Sequence, residues 1–116
     1  MNELIIETQQ SYNDYLAKLV SGCNEIVENI QSNNLQQALQ LILQFSEGTT
    51  WLIDINQKLS TLGYNNELKH DAIQEYFSQI NAGLEVQDFV LVSDMFEYEI
   101  KPFFENCALY VISEKN

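Results

Sequence analysis

The chain has 116 residues, of which 17 are acidic and five are lysine, with one histidine, no arginine and a net charge of -12. A chain of this length holds one hydrophobic core and no second, so residues 1–116 are read as a single domain, and its six Tyr, six Phe and one Trp argue against disorder. Phosphate binding needs Lys and Arg gathered on one face, whereas Lys18, Lys58, Lys69, Lys101 and Lys115 are scattered among acids, so no nucleic-acid partner is expected and an anionic membrane is a poor one.

The first predicted helix starts at Asn2, a good N-cap, with Glu3 in its first turn, and runs to about Gln31. Its apolar stripe is Tyr12, Tyr15, Leu16, Leu19, Val20, Cys23, Ile26, Val27 and Ile30, with Glu7, Asp14, Glu25 and Glu28 between the stripe positions. Gly22 weakens this helix unless a neighbouring helix approaches closely there.

Ser32-Asn33-Asn34 breaks the pattern, and Asn33 with Gln36 reads as a capping box for a second helix. Its stripe is Leu35, Ala38, Leu39, Ile42, Phe45, Leu52, Ile55 and Leu59, ending at Gly63, with Trp51 and Leu41 off the stripe. Gly48-Thr49-Thr50 is a weak helical stretch where a kink or short break is expected.

A short third helix follows the turn at residues 62–66. Asn66 is its expected cap, Leu68, Ala72, Ile73, Tyr76, Phe77 and Ile80 mark its face, and Gly83 closes it as a C-terminal glycine.

The fourth helix is expected from between Glu85 and Asp88 to about Ile112. Phe89, Val92, Phe96, Ile100, Phe103, Cys107 and Tyr110 form one stripe, and Leu91, Met95 and Tyr98 a second, rotated by roughly 100°. Pro102 removes one hydrogen bond to Tyr98 and is expected to kink the helix near Tyr98–Ile100. Four helices joined by three to six residues make an all-α, antiparallel up-down-up-down four-helix bundle.

Little in the chain does chemistry. Glu67 and His70 make one Glu-x-x-His, but a carboxylate-bridged metal pair needs two, so no metal and no cofactor is expected and His70 is read as solvent-facing. Asp94, Glu97 and Glu99 form the densest carboxylate cluster, read as a solvated or partner-facing acidic surface. Cys23 and Cys107 have no basic neighbour to activate a thiolate and are read as reduced, unbonded thiols. The chain is expected not to be an enzyme. With no apolar run near the ~20 residues of a membrane span and no signal-peptide pattern at its start, it is expected in the cytoplasm.

Helix four carries more apolar surface than one bundle seam covers. Leu91, Met95 and Tyr98, with Asp94 beside them and Trp51 on helix two, are the candidate partner surface. The partner is a second copy of the chain or a basic protein, which a negative surface attracts. The expected function is a non-catalytic protein–protein interaction module, adaptor- or chaperone-like. The alternative is an acidic inhibitor or immunity-type protein that neutralises a basic partner.

The run Asp88-Phe-Val-Leu-Val-Ser-Asp94-Met-Phe-Glu97-Tyr98-Glu99-Ile-Lys-Pro102 resembles a segment of a family of small acidic all-helical proteins from Gram-positive bacteria. Ala38-Leu-Gln-Leu-Ile to Trp51-Leu-Ile resembles that family's second helix. The family has no assigned function, so the resemblance implies the helical fold and nothing about activity.

Overall fold

Apolar residues spaced by three and four leave each helix one dry face, and burying those faces on one another sets the architecture. The computed structural model describes residues 3–112 and is all-helical, 81% helix, with no strand among the described residues. Four helices carry it: α1 (Glu3–Gln31), α2 (Leu35–Thr61), α3 (His70–Glu85) and α4, which runs from Phe89 to Glu105. The molecule is elongated, 52 × 23 × 20 Å. The cap expected at Asn2 lies outside the described residues.

The α1 stripe is the spine of the core. Tyr12, Leu16, Leu19, Cys23, Ile26 and Val27 are all buried, and α1 packs on α2 and along all of α4. Phe45 of α2 ties the remaining helices to this spine. Its ring meets Phe96 and Phe104 of α4 at centroid distances of 5.3 and 5.9 Å and Phe77 of α3 at 6.1 Å. Burying a side chain of this size contributes about 1.5–3 kcal/mol.

Several local expectations are overturned. α2 is unbroken through Gly48-Thr49-Thr50, where Thr49 is buried and its hydroxyl donates to the Phe45 carbonyl at 2.9 Å. Gly48 serves instead as a seat for Tyr15 of α1, whose phenol lies where a Cβ would be. Leu39, assigned to the stripe, is 44% exposed.

Asn33 caps the wrong end of the wrong helix. Its φ of 62° is the left-handed conformation that closes α1, where the Asn34 N–H donates to the Asn29 carbonyl at 2.7 Å. Gly83 likewise is not the left-handed residue after α3; Gln87 takes that role at φ 57°. Gly83 is buried inside α3, where a Cβ would stand 3.1 Å from Val92 Cγ2, so its small size lets α4 approach.

The third helix starts at His70, three residues later than a cap at Asn66 would place it, because Asn66 is used elsewhere: its side chain donates to the Ala108 carbonyl at 2.8 Å. The connection between α2 and α3 therefore spans residues 62–69, longer than expected. Gly63 does match its expected role, at φ 96° after the end of α2.

α4 departs most. It is α-helical over Phe89–Asp94, π-helical over Met95–Ile100 and α-helical again over Lys101–Glu105. The π stretch stands where a kink was expected, directly before Pro102, whose missing N–H leaves Tyr98 without its usual partner. The Lys101 N–H donates to the Phe96 carbonyl, five residues back. Each residue of a π turn advances less than the 100° of an α-helix, so steps of four hold one line. Val92, Phe96, Ile100 and Phe104 are the buried series, and Phe103 is left half-buried.

The helix stops at Glu105, and residues 107–112 are not helical as expected but form a strap that returns to α1. Tyr110 is buried as its stripe position demanded, by a different backbone.

Candidate functional site

The five residues singled out from the sequence do not form one surface. Asp88 caps α4, its carboxylate accepting from the Leu91 N–H at 3.0 Å, and this fixes how the first turn presents its side chains. Val90 is 73% exposed, Leu91 38% and Tyr98 65%, and Asp94 is exposed on the same helix with no hydrogen bond among the described residues. Met95, expected on the partner surface, instead lies in the core beside Phe96, 6% exposed, because three residues after buried Val92 it falls on the same side of the helix. Trp51 packs edge-on against Tyr15 of α1 at 5.3 Å, not against α4.

Val90 was not singled out from the sequence either, and Val86, in the turn before α4, adds a fourth exposed apolar residue that the sequence reading missed. The helical stripes gave no signal for it, since it belongs to no helix. The face thus combines Val86, Val90, Leu91 and Tyr98 with Glu85, Asp88, Asp94 and Glu97.

A second site, also missed, is a polar cluster where the strap meets α1, α2 and residues 62–69. Asn56 of α2 is 6% exposed and fully engaged: it donates to the Asn66 carbonyl at 2.8 Å and to Tyr110 Oη at 3.2 Å. Its Oδ1 faces His70 Nε2 at 3.3 Å, and Gln57 Nε2 lies 3.5 Å from His70 Nδ1. An imidazole protonated at Nε2 satisfies both contacts, so His70 is half-buried and structural, not solvent-facing as expected.

Asn13 of α1 pairs with both backbone groups of Tyr110, donating to its carbonyl at 3.0 Å and accepting from its N–H at 2.8 Å. The Tyr12 and Tyr110 rings meet edge to face at 4.8 Å. Tyr12 Oη is buried without a hydrogen bond; the Asn56 and Asn66 amides come near it but not in bonding geometry. Burial, then the neighbouring Tyr110 and Cys107, pushes its ionisation far up, and burial raises Tyr110 as well.

Neither thiol is poised for chemistry. Both cysteines are free, and burial pushes Cys23 up to about 12 and Cys107 up to about 11. Among the described residues no three of His, Cys, Asp and Glu gather to hold a metal ion, and no helix is long and apolar enough to cross a membrane.

Fold and sites together define a small acidic all-helical domain with an apolar face set among carboxylates. A family described as a domain of unknown function (DUF8042) matches residues 7–108, and the chain belongs to that family. No curated protein matches the chain, and no solved structure does.

Proposed function

We propose that the protein is a non-catalytic interaction module that binds another polypeptide through the α3–α4 turn and the outer face of α4. The observation that supports this is the exposure of Val86, Val90, Leu91 and Tyr98 among Glu85, Asp88, Asp94 and Glu97. Apolar groups left in water on a small domain are stabilised by a partner that covers them. The surrounding carboxylates favour a partner whose apolar anchors are flanked by Lys or Arg, and they oppose a second copy carrying the same charge. The topology that goes with this reading is up-down-up-down, with neighbouring helices antiparallel.

A second reading, an acidic inhibitor of a basic protein, is favoured by one observation. The only ion pair among the described residues is Lys58–Asp54 at 3.1 Å, so nearly all the negative charge is left for an outside partner.

Affinity capture from extracts of the native cell separates the two readings. The module should retain its partner in high salt and lose it when Val90 and Tyr98 are both replaced by serine. Capture lost in high salt but untouched by the double replacement would support the inhibitor and sink the module.

A further inference from the structure

The strap contributes one buried side chain to the interior, beside the half-buried Cys107. Tyr110 is 5% exposed, while Leu109 and Val111 on either side are 57% and 90% exposed. Everything that receives it comes from other elements: Tyr12 and Asn13 of α1, Asn56 of α2, and Asn66 of the 62–69 segment. The hydrogen bonds and the ring contact that hold Tyr110 thus come from α1, α2 and the 62–69 segment.

Its chemistry is that of peptide recognition. Asn13 engages the N–H and C=O of a single residue, as a strand edge would, and Asn66 takes the carbonyl two residues earlier. These contacts read backbone and so are indifferent to the flanking side chains. One pocket then selects an aromatic ring, with Asn56 donating to its hydroxyl. The site leaves one polar group unspent: Tyr12 Oη, in a fully buried side chain whose ring meets that of Tyr110, makes no hydrogen bond.

We propose that α1, α2 and residues 62–69 form a peptide-binding site, occupied in cis by the strap, whose trans ligand is an extended, tyrosine-bearing segment of another polypeptide. The site is separate from the α4 face and does not depend on it. A short tether gives the strap an effective concentration in the millimolar range, so a trans segment displaces it only by fitting better. A polar group that reaches Tyr12 Oη supplies that margin, since one recovered hydrogen bond is worth about tenfold in affinity. The strap itself is suited to release: one buried side chain, the half-buried Cys107 and four hydrogen bonds with three side-chain amides hold it, which places it among the segments that open locally.

The test uses the full chain with Tyr110→Ala, which removes the ring from its pocket and leaves only the strap's backbone contacts for a trans peptide to displace. The probe is a synthetic peptide of residues 106–112, Asn-Cys-Ala-Leu-Tyr-Val-Ile, with a counterpart carrying alanine for the tyrosine. Calorimetry should show the tyrosine peptide saturating the variant at least tenfold tighter than it binds the wild type, and the alanine peptide not binding. Equal binding of the two peptides, or none to a variant that keeps its helical circular dichroism, overturns the proposal. So does a wild-type dimer that disappears with Tyr110→Ala, since the occupant would then be a second copy's strap. Should Tyr110→Ala not fold, hydrogen exchange on the wild type decides. Amides 108–111 should exchange at least 100-fold faster than those of Leu16 and Ile26, and exchange in step with α1 would rule out release.

Discussion

The phenol of Tyr15 on α1 lies over Gly48 of α2, so that a Cβ at position 48 would meet its hydroxyl and stand 2.7 Å from ring carbon Cζ. The same ring makes the edge contact with Trp51. Gly48→Ala should swing Tyr15 outward and break that pair. The lost contact, about 0.5–1.5 kcal/mol, and the displaced packing together should exceed the roughly 1 kcal/mol that alanine adds to a helix. Gly22 is different, since a Cβ there meets Phe45 at an ordinary 3.5 Å. Gly22→Ala should stabilise by about 0.4–1 kcal/mol. Urea melts with Trp51 fluorescence check both; a Gly48→Ala protein as stable as wild type with unchanged fluorescence contradicts this account.

Asn13→Ala leaves the N–H and C=O of Tyr110 without their partner and should cost about 1–3 kcal/mol. Asn13→Asp keeps an acceptor for the N–H but sets a carboxylate oxygen against the Tyr110 carbonyl, so it should not restore the wild-type urea midpoint. A wild-type midpoint in either replacement would contradict the paired contact.

Phe96 is fully buried against Phe45, and Phe96→Ala should destabilise by about 3–5 kcal/mol. Ile26→Ala should cost about 2–5 kcal/mol, whereas Glu25→Ala, exposed on the same turn, should stay within about 0.5 kcal/mol. Similar urea midpoints for Phe96→Ala and Glu25→Ala would contradict the core described above.

Stability should fall in alkali. Cys23 ordinarily ionises near 9.0 and is held up to about 12 by burial. The native state therefore keeps this proton more tightly than the unfolded chain, so the stabilisation is whole below pH 9 and is lost as pH rises from 9 towards 12. Tyr12 and Tyr110, both raised from 10.0, steepen the loss above pH 10. The urea midpoint should be insensitive to these groups from pH 7 to 9 and fall beyond it, with the first part of the fall reduced in Cys23→Ala. A midpoint that rises above pH 9 would show the sign to be wrong.

Helix periodicity made the α1 spine legible without coordinates. Tyr12, Leu16, Leu19, Cys23 and Ile26 are buried where spacings of three and four put them, because a long regular helix turns sequence spacing directly into direction. The Leu39 assignment failed for a tertiary reason: the stripe says which way a side chain points and not whether a neighbour is there to cover it. Val86, Val90, Leu91 and Tyr98 remain open on α4 for the same reason. Asn33, Asn66 and Gly83 were misplaced because one residue type suits several local roles, and the choice falls to the partner within reach.

By itself the sequence determined an acidic, all-helical chain with a buried α1 stripe and two free thiols, all consequences of composition and periodicity. Tertiary structure alone decided the line of α4 and the fate of its C-terminal end. The π stretch before Pro102 keeps Val92, Phe96, Ile100 and Phe104 on one buried line, and the helix gives way at Glu105 to a strap that Asn13, Asn56 and Asn66 can hold. Those three amides lie on separate elements far apart in the chain. Spacing along one helix carries no information about groups that meet only after folding, so the strap and its site could be read only in three dimensions.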